Sequence, residues 1–215
     1  VRTDFSFPEK PNYNFTKKQM LERKRLLKNK VEHIKFKDLK NTNELIEAYS
    51  KSSFQARKIG EGAKLYKKEL NRGTTIIWSL AGSIFSAGLR ELVIDSVRKN
   101  LVDCLVCTGA LFEQDMLEAL GYNHYVQTEE IEDKTLQNLL IDRIYDHLLD
   151  EIELQHVDET YKKIAKQMDS GNYSSREFME YCGKWLSNVK DANDSVILAA
   201  YEMNVPIFIP AINDC

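Results

Sequence analysis

Between Ser53 and about Leu70 apolar side chains recur at spacings of three and four, through Ala56, Ile59, Ala63, Tyr66 and Leu70. That period predicts one long helix. Gly60 and Gly62 lie inside it, each at a cost of about 1 kcal/mol against alanine, so another backbone or a ligand is expected to come close there. Asn71-Arg72-Gly73 ends the helix, and the period changes. Thr74–Leu80 is a continuous β-favouring run, followed by a small-residue turn at Ala81-Gly82-Ser83. A helix is then expected from about Ile84 to Asn100, with Phe85, Leu89, Val93 and Val97 on one face and an Asp95–Lys99 pair on the exposed side. Leu101–Cys107 reads as a second buried strand, Thr108-Gly109-Ala110 as a second small turn, and Glu113–Leu120 as a helix.

Short links between strands that are apolar on both faces predict an α/β fold, a parallel sheet covered by helices. Downstream, the helical period returns from Asp133 to about Glu153 through Leu136, Leu139, Leu140, Ile144, Leu148 and Ile152. Further helices are expected near Glu159–Met168, Ser174–Ser187 and Ser195–Glu202, and a third strand over Val205–Pro210. Upstream, residues 1–15 carry no period and read as an extended arm. Thr16 caps a basic helix reaching about Lys30, and Asn43–Ser50 is a short helix. The chain thus divides into an N-terminal arm with helices, 1–52, and an α/β portion, 53–215. Open sheets average roughly five or six strands, whereas three are legible, so an incomplete domain is expected.

Composition narrows the function classes. With 30 basic and 33 acidic residues well mixed, and a net charge of −3, nothing favours nucleic acid or a membrane surface. No apolar run approaches the roughly 20 residues of a membrane helix, and no secretory signal opens the chain. Cys104 and Cys107 form a C-x-x-C, but they fall in an alternating buried run where cysteine serves as a small apolar residue. No second Cys/His pair stands at a metal-site spacing, and unpaired thiols point to the cytoplasm. The histidines (His33, His124, His147, His156) are scattered, with no nucleophile pattern beside them, so a hydrolase triad is not indicated.

Open parallel sheets bind ligands at the carboxyl ends of their strands. Three such ends are visible, at Ser79–Ser86, Thr108–Asp115 and Ala211–Asp214. The first two are rich in small residues, which lets backbone N–H groups at a helix start approach a diphosphate. Neither fits G-x-G-x-x-G. Glu113 and Asp115 flank Gln114 at the expected helix start, where carboxylates complement the helix dipole or anchor a cationic amine.

Five ordered segments resemble the deoxyhypusine synthase family. Phe54-Gln55-Ala56 with Gly60 is similar to F-Q-A-x-x-x-G, and Ser86-Ala87-Gly88-Leu89-Arg90-Glu91 to S-S-G-[IL]-R-E. Val102–Thr108 resembles V-D-V-L-V-T-T, Glu113-Gln114-Asp115 resembles E-E-D, and Asn204–Asp214 resembles H-I-P-V-F-S-P-A-L-T-D. The resemblance implies a Rossmann-like fold, NAD as cofactor, and transfer of the aminobutyl group of spermidine through an enzyme lysine to one lysine of a translation initiation factor. It implies a tetramer with active sites at dimer interfaces. Carried onto this sequence, it implies Gly82, Ser83, Ile84, Phe85, Ser86, Thr108, Gly109, Ala110, Gln114 and Asp214 in NAD binding, and Glu113 and Gln114 in spermidine binding. No catalytic residue is assigned, because the family's lysine segment falls beyond Cys215; a complementary C-terminal chain or segment is expected to supply it.

The departures are specific. Gln114 replaces a glutamate and removes a charge from the amine pocket, Leu111 is expected to crowd a close backbone approach, and Cys215 stands where the family has glycine. The match is weakest from Gln127 to Asn193. Two alternatives stay open: a paralogue without chemistry, acting as a subunit of a mixed tetramer, and a homospermidine-synthase-like enzyme with a small amine as acceptor.

Overall fold

A computed structural model describes residues 11–212, which form two compact units divided between Lys68 and Glu69. In the first unit, α1 (Lys17–Leu26) opens with a reciprocal cap, Thr16 Oγ1 accepting from Gln19 N while Gln19 Oε1 accepts from Thr16 N. It ends four residues short of the expected Lys30, with no buried side chain. Next come α2 (Thr42–Ser50) and α3 (Phe54–Arg72). Of the two expected close approaches on α3, one is present. A Cβ on Gly60 would lie 2.4 Å from the Ser50 amide nitrogen, so α2 and α3 touch backbone to backbone there. Gly62 faces open space.

The second unit is built on the expected parallel sheet. Strands β1 (Ile77–Leu80), β2 (Cys104–Cys107) and β6 (Ile207–Phe208) lie side by side in the order β1-β2-β6, all parallel. In β2, Leu105 and Cys107 are buried on the face that the helices cover, while Cys104 and Val106 are half-buried on the other, where their neighbours Ile77 and Phe208 are 59% and 37% exposed. The alternation that buries the strand also sends Cys104 and Cys107 to opposite faces, which rules out joint chelation by the C-x-x-C. Burial raises both thiols, Cys107 to about 12, so neither is a thiolate at neutral pH.

Around this sheet lie α4 (Arg90–Arg98), α5 (Gly109–Ala119), α7 (Glu151–Lys166), α8 (Ser175–Leu186) and α9 (Val196–Met203). Val93, Val97, Leu111, Met116, Leu117, Ile164, Leu186 and Ile197 form the centre of the core. The helix expected from Ile84 starts differently: residues 85–89 form a wide turn closed by Leu89 N to Ile84 O, Gly88 sits at φ 86°, and regular helix begins only at Arg90. The turn rotates Leu89 out of the apolar face, and it is 48% exposed.

Residues 133–153 do not form the single helix that their apolar period predicts. Instead α6 (Asp133–Asn138) is capped by Leu139, the chain turns at Leu140, whose φ is +53°, and β4 (Ile141–Ile144) pairs antiparallel with β5 (His147–Asp150). With β3 (Tyr125–Val126) they form a second, three-stranded sheet, so the described residues contain six strands and not three. The supposed stripe is largely on the surface: Leu139, Leu140 and Ile152 are 61%, 49% and 59% exposed. The separate helix expected at Glu159–Met168 is the second half of α7.

Candidate functional site

The carboxyl ends of β1 and β2 are joined by a hydrogen bond from Thr108 N to Leu80 O, 3.3 Å. Two backbone corners therefore sit next to each other. The first is the turn after β1. Gly82 adopts φ +78°, which an L side chain rarely does. Ser83 O accepts from Ala87 N and from Ser86 Oγ, and Phe85 anchors the turn in the core at 3% exposure.

The second corner is the start of α5, which begins at Gly109 and not at Glu113. Thr108 is the N-cap in extended conformation, yet its side chain makes no capping hydrogen bond. The first turn of α5 therefore presents backbone N–H groups without a side-chain acceptor from its cap, at a strand end lined by Gly109 and Ala110. That is the donor set a diphosphate takes. Leu111 does not obstruct it: its side chain is fully buried in the core. Asp214 lies outside the described residues.

Because α5 starts early, Glu113, Gln114 and Asp115 occupy its second turn, too far along to complement its dipole, and each has a different environment. Gln114 is buried, and its Oε1 accepts from Ser86 N at 3.2 Å, so it ties α5 to the turn after β1. Glu113 is half-buried. Burial, then the nearby Asp158 carboxylate, push its carboxyl up, and among the described residues no basic side chain forms an ion pair with it. Asp115 is 1% exposed; its two oxygens accept from Val196 N and Ile197 N at 2.9 Å each, and Arg90 Nη1 lies 3.4 Å away. Burial raises the Asp115 carboxyl to about 6, outweighing the lowering by the two amides and Arg90.

Arg90 was not singled out from the sequence. Its guanidinium, 9% exposed, meets Glu118 through Nε at 2.7 Å and donates from Nη1 to Asp194 O at 2.7 Å, besides facing Asp115. Glu118 also meets His124 Nδ1 at 2.9 Å. The Arg90 contacts join α4, α5 and the start of α9, and their separations in sequence, from 25 to 104 residues, hide them from any local pattern.

Fold and site together define a Rossmann-like α/β protein with a small-residue corner at two adjacent strand ends. The family model for deoxyhypusine synthase matches residues 44–215. A deoxyhypusine synthase-like protein of Elusimicrobium minutum is 40% identical over 203 residues, covering 93% of this chain and 53% of its own length. One from Coxiella burnetii is 38% identical over 195 residues, covering 89% and 55%. A crystal structure from Entamoeba histolytica described under the name deoxyhypusine synthase superposes with a TM-score of 0.56 at 21% identity, over 86% of this chain and 63% of that one. The chain belongs to the deoxyhypusine synthase family, and it spans about half the length of the curated relatives it matches.

Proposed function

We propose that this chain is the NAD-binding part of a deoxyhypusine-synthase-type transferase that moves the aminobutyl group of spermidine to a lysine of a translation initiation factor. The observation that carries the reading is the pair of joined corners, Gly82–Ser86 and Thr108–Ala110, with an uncapped helix start at a parallel strand end. Their backbone amides fit a dinucleotide diphosphate, and bound NAD would supply the hydride acceptor that amine oxidation needs. Gln114 holds the first corner against α5 through Ser86 N, and Asp214 is proposed as a further NAD contact.

Glu113 is proposed as the anchor for a spermidine ammonium. A carboxylate raised by burial and by a neighbouring carboxylate recovers its charged form when a cation binds. The test of the whole function is spermidine-dependent reduction of NAD, followed by release of diaminopropane, in the protein completed to the family's length. NADH formation that requires spermidine is expected. A completed protein that binds both ligands and forms none would overturn the transferase reading in favour of a subunit without chemistry.

Gln114 offers a finer test. A glutamate there can still accept from Ser86 N while placing a second charge beside Glu113. A charged hydrogen bond contributes about 1.5–3 kcal/mol, so Gln114→Glu is expected to tighten spermidine roughly tenfold or more in calorimetry. An unchanged affinity would remove Gln114 from the amine pocket.

The proposed assembly is a tetramer that includes the polypeptide supplying the family's remaining length. In the first unit, Phe54, Ile59 and Leu65 of α3 are 84%, 53% and 58% exposed, an apolar surface suited to such a contact. Light scattering is expected to report an oligomer. A stable, well-folded monomer of the isolated chain would contradict the assembly.

A further inference from the structure

The joint at Asp115 reaches the third strand. Its carboxylate holds the amides of Val196 and Ile197, the first two residues of α9. From α9 to β6 the chain has little freedom. Asn204 ends the helix in a left-handed turn, Val205 N returns to Ala200 O at 2.8 Å, and Ile207 pairs with Leu105 of β2. Beyond β6, Ile209 N is held by Ser175 Oγ at 3.0 Å. A displacement of the α9 start is thereby passed along a stiff helix to β6. On the other side, Asp115 is the next residue after Gln114, whose side chain holds Ser86 N. Neighbouring residues of one helix turn therefore fix two different strand ends.

The geometry points to Asp115 as a positioning residue. With Arg90, it sets the end of β6 against the corners after β1 and β2, so that a ligand spanning all three strand ends meets them in register. This inference rests on the cofactor reading above but adds a role for a side chain that itself contacts no ligand. A ligand confined to the first two corners depends on Gln114 and Thr108, whereas one reaching the β6 end depends on Asp115 as well. Misplacing one wall of a site by about 1 Å is enough to lose up to two orders of magnitude in a well-oriented system.

The test uses the protein completed to the family's length, with NAD and inorganic pyrophosphate as probes. Asp115→Asn keeps the size of the side chain but can accept with one oxygen only. It is expected to weaken NAD about tenfold, leave pyrophosphate binding unchanged, speed hydrogen exchange at Val196 and Ile197, and shift the amide resonances of Val205, Ile207, Phe208 and Ile209 while that of Ser86 stays in place. Val196→Pro removes one donor from the other side of the joint. Proline suits the first helical position, and Ser195 before it is already extended, at φ −151° and ψ 160°. It should give the same pattern more weakly and serves if Asp115→Asn does not fold. Equal weakening of NAD and pyrophosphate would reduce Asp115 to general stability and overturn the inference, as would unmoved amides at Val205, Ile207, Phe208 and Ile209. A native protein that binds neither probe, while those amides still shift in Asp115→Asn, would sink the cofactor reading and support the joint.

Discussion

Replacing Arg90 with methionine is expected to destabilise the second unit by about 3–5 kcal/mol, the cost of removing one partner from a buried charge cluster. For a protein of this size that corresponds to a fall of roughly 10 °C in melting temperature. The guanidinium is the cation facing Asp115 and Glu118 at once, and it also holds Asp194 O. Methionine fills much of the volume but leaves the Asp115 carboxylate with only the two α9 amides. The pH dependence has a definite sign. Asp115 already sits above its ordinary value because of burial, at about 6, and loss of Arg90 raises it further. The cost of its charge is present above that value and relieved as the pH falls through it, because the folded state then takes up the proton. The deficit of Arg90→Met relative to the native protein should therefore be largest near pH 8 and shrink toward pH 5. Paired thermal melts check this, and a deficit below 1 kcal/mol, or one that grows on acidification, would mean the cluster does not hold α4, α5 and α9 together.

Ser86→Trp is expected to weaken NAD binding by more than about a hundredfold, beyond what loss of a single hydrogen bond causes. Ser86 lies in the turn after β1, its hydroxyl on Ser83 O and its amide on Gln114 Oε1. An indole there fills the space over the corner that the diphosphate would occupy. Ser86→Ala keeps the amide bond to Gln114 and should bind within a few-fold of the native protein. Equilibrium dialysis against NAD, with circular dichroism to establish that both variants fold, distinguishes a blocked site from a broken one. Tight binding by a folded Ser86→Trp variant would move the cofactor away from this corner.

The parts of the fold that local signals determine were legible in the sequence. Thr16, Ser174 and Ser195 all cap helices where a hydroxyl precedes a helical period. The runs ending at Leu80, Cys107 and Ile209 give the three parallel neighbours, because strands apolar on both faces leave few other readings. Residues 133–153 failed for a physical reason. Leu136, Leu140, Ile144 and Leu148 recur every four residues, a spacing that both a helix and a strand of period two satisfy. The breaks that decide between them, at Leu140 and Tyr145 with φ of +53° and +58°, fall on residue types that seldom adopt such angles and so give no warning. The wide turn at 85–89 was missed likewise, because Gly88 reads as a small residue inside a helix. At the site, the two small-residue corners could be seen from composition alone. What joins them could not, since the Ser86–Gln114 bond and the Arg90–Asp115 contact cross 28 and 25 residues.

On the proposed function, NAD lies across the carboxyl ends of β1 and β2. Its most direct test is an amide chemical-shift map of the completed protein during titration with NAD. Saturable shifts are expected, concentrated at Gly82–Ser86 and Thr108–Ala110, with the β4–β5 hairpin at 141–150 unmoved. Shifts absent from both corners, or centred on the hairpin sheet, would contradict it.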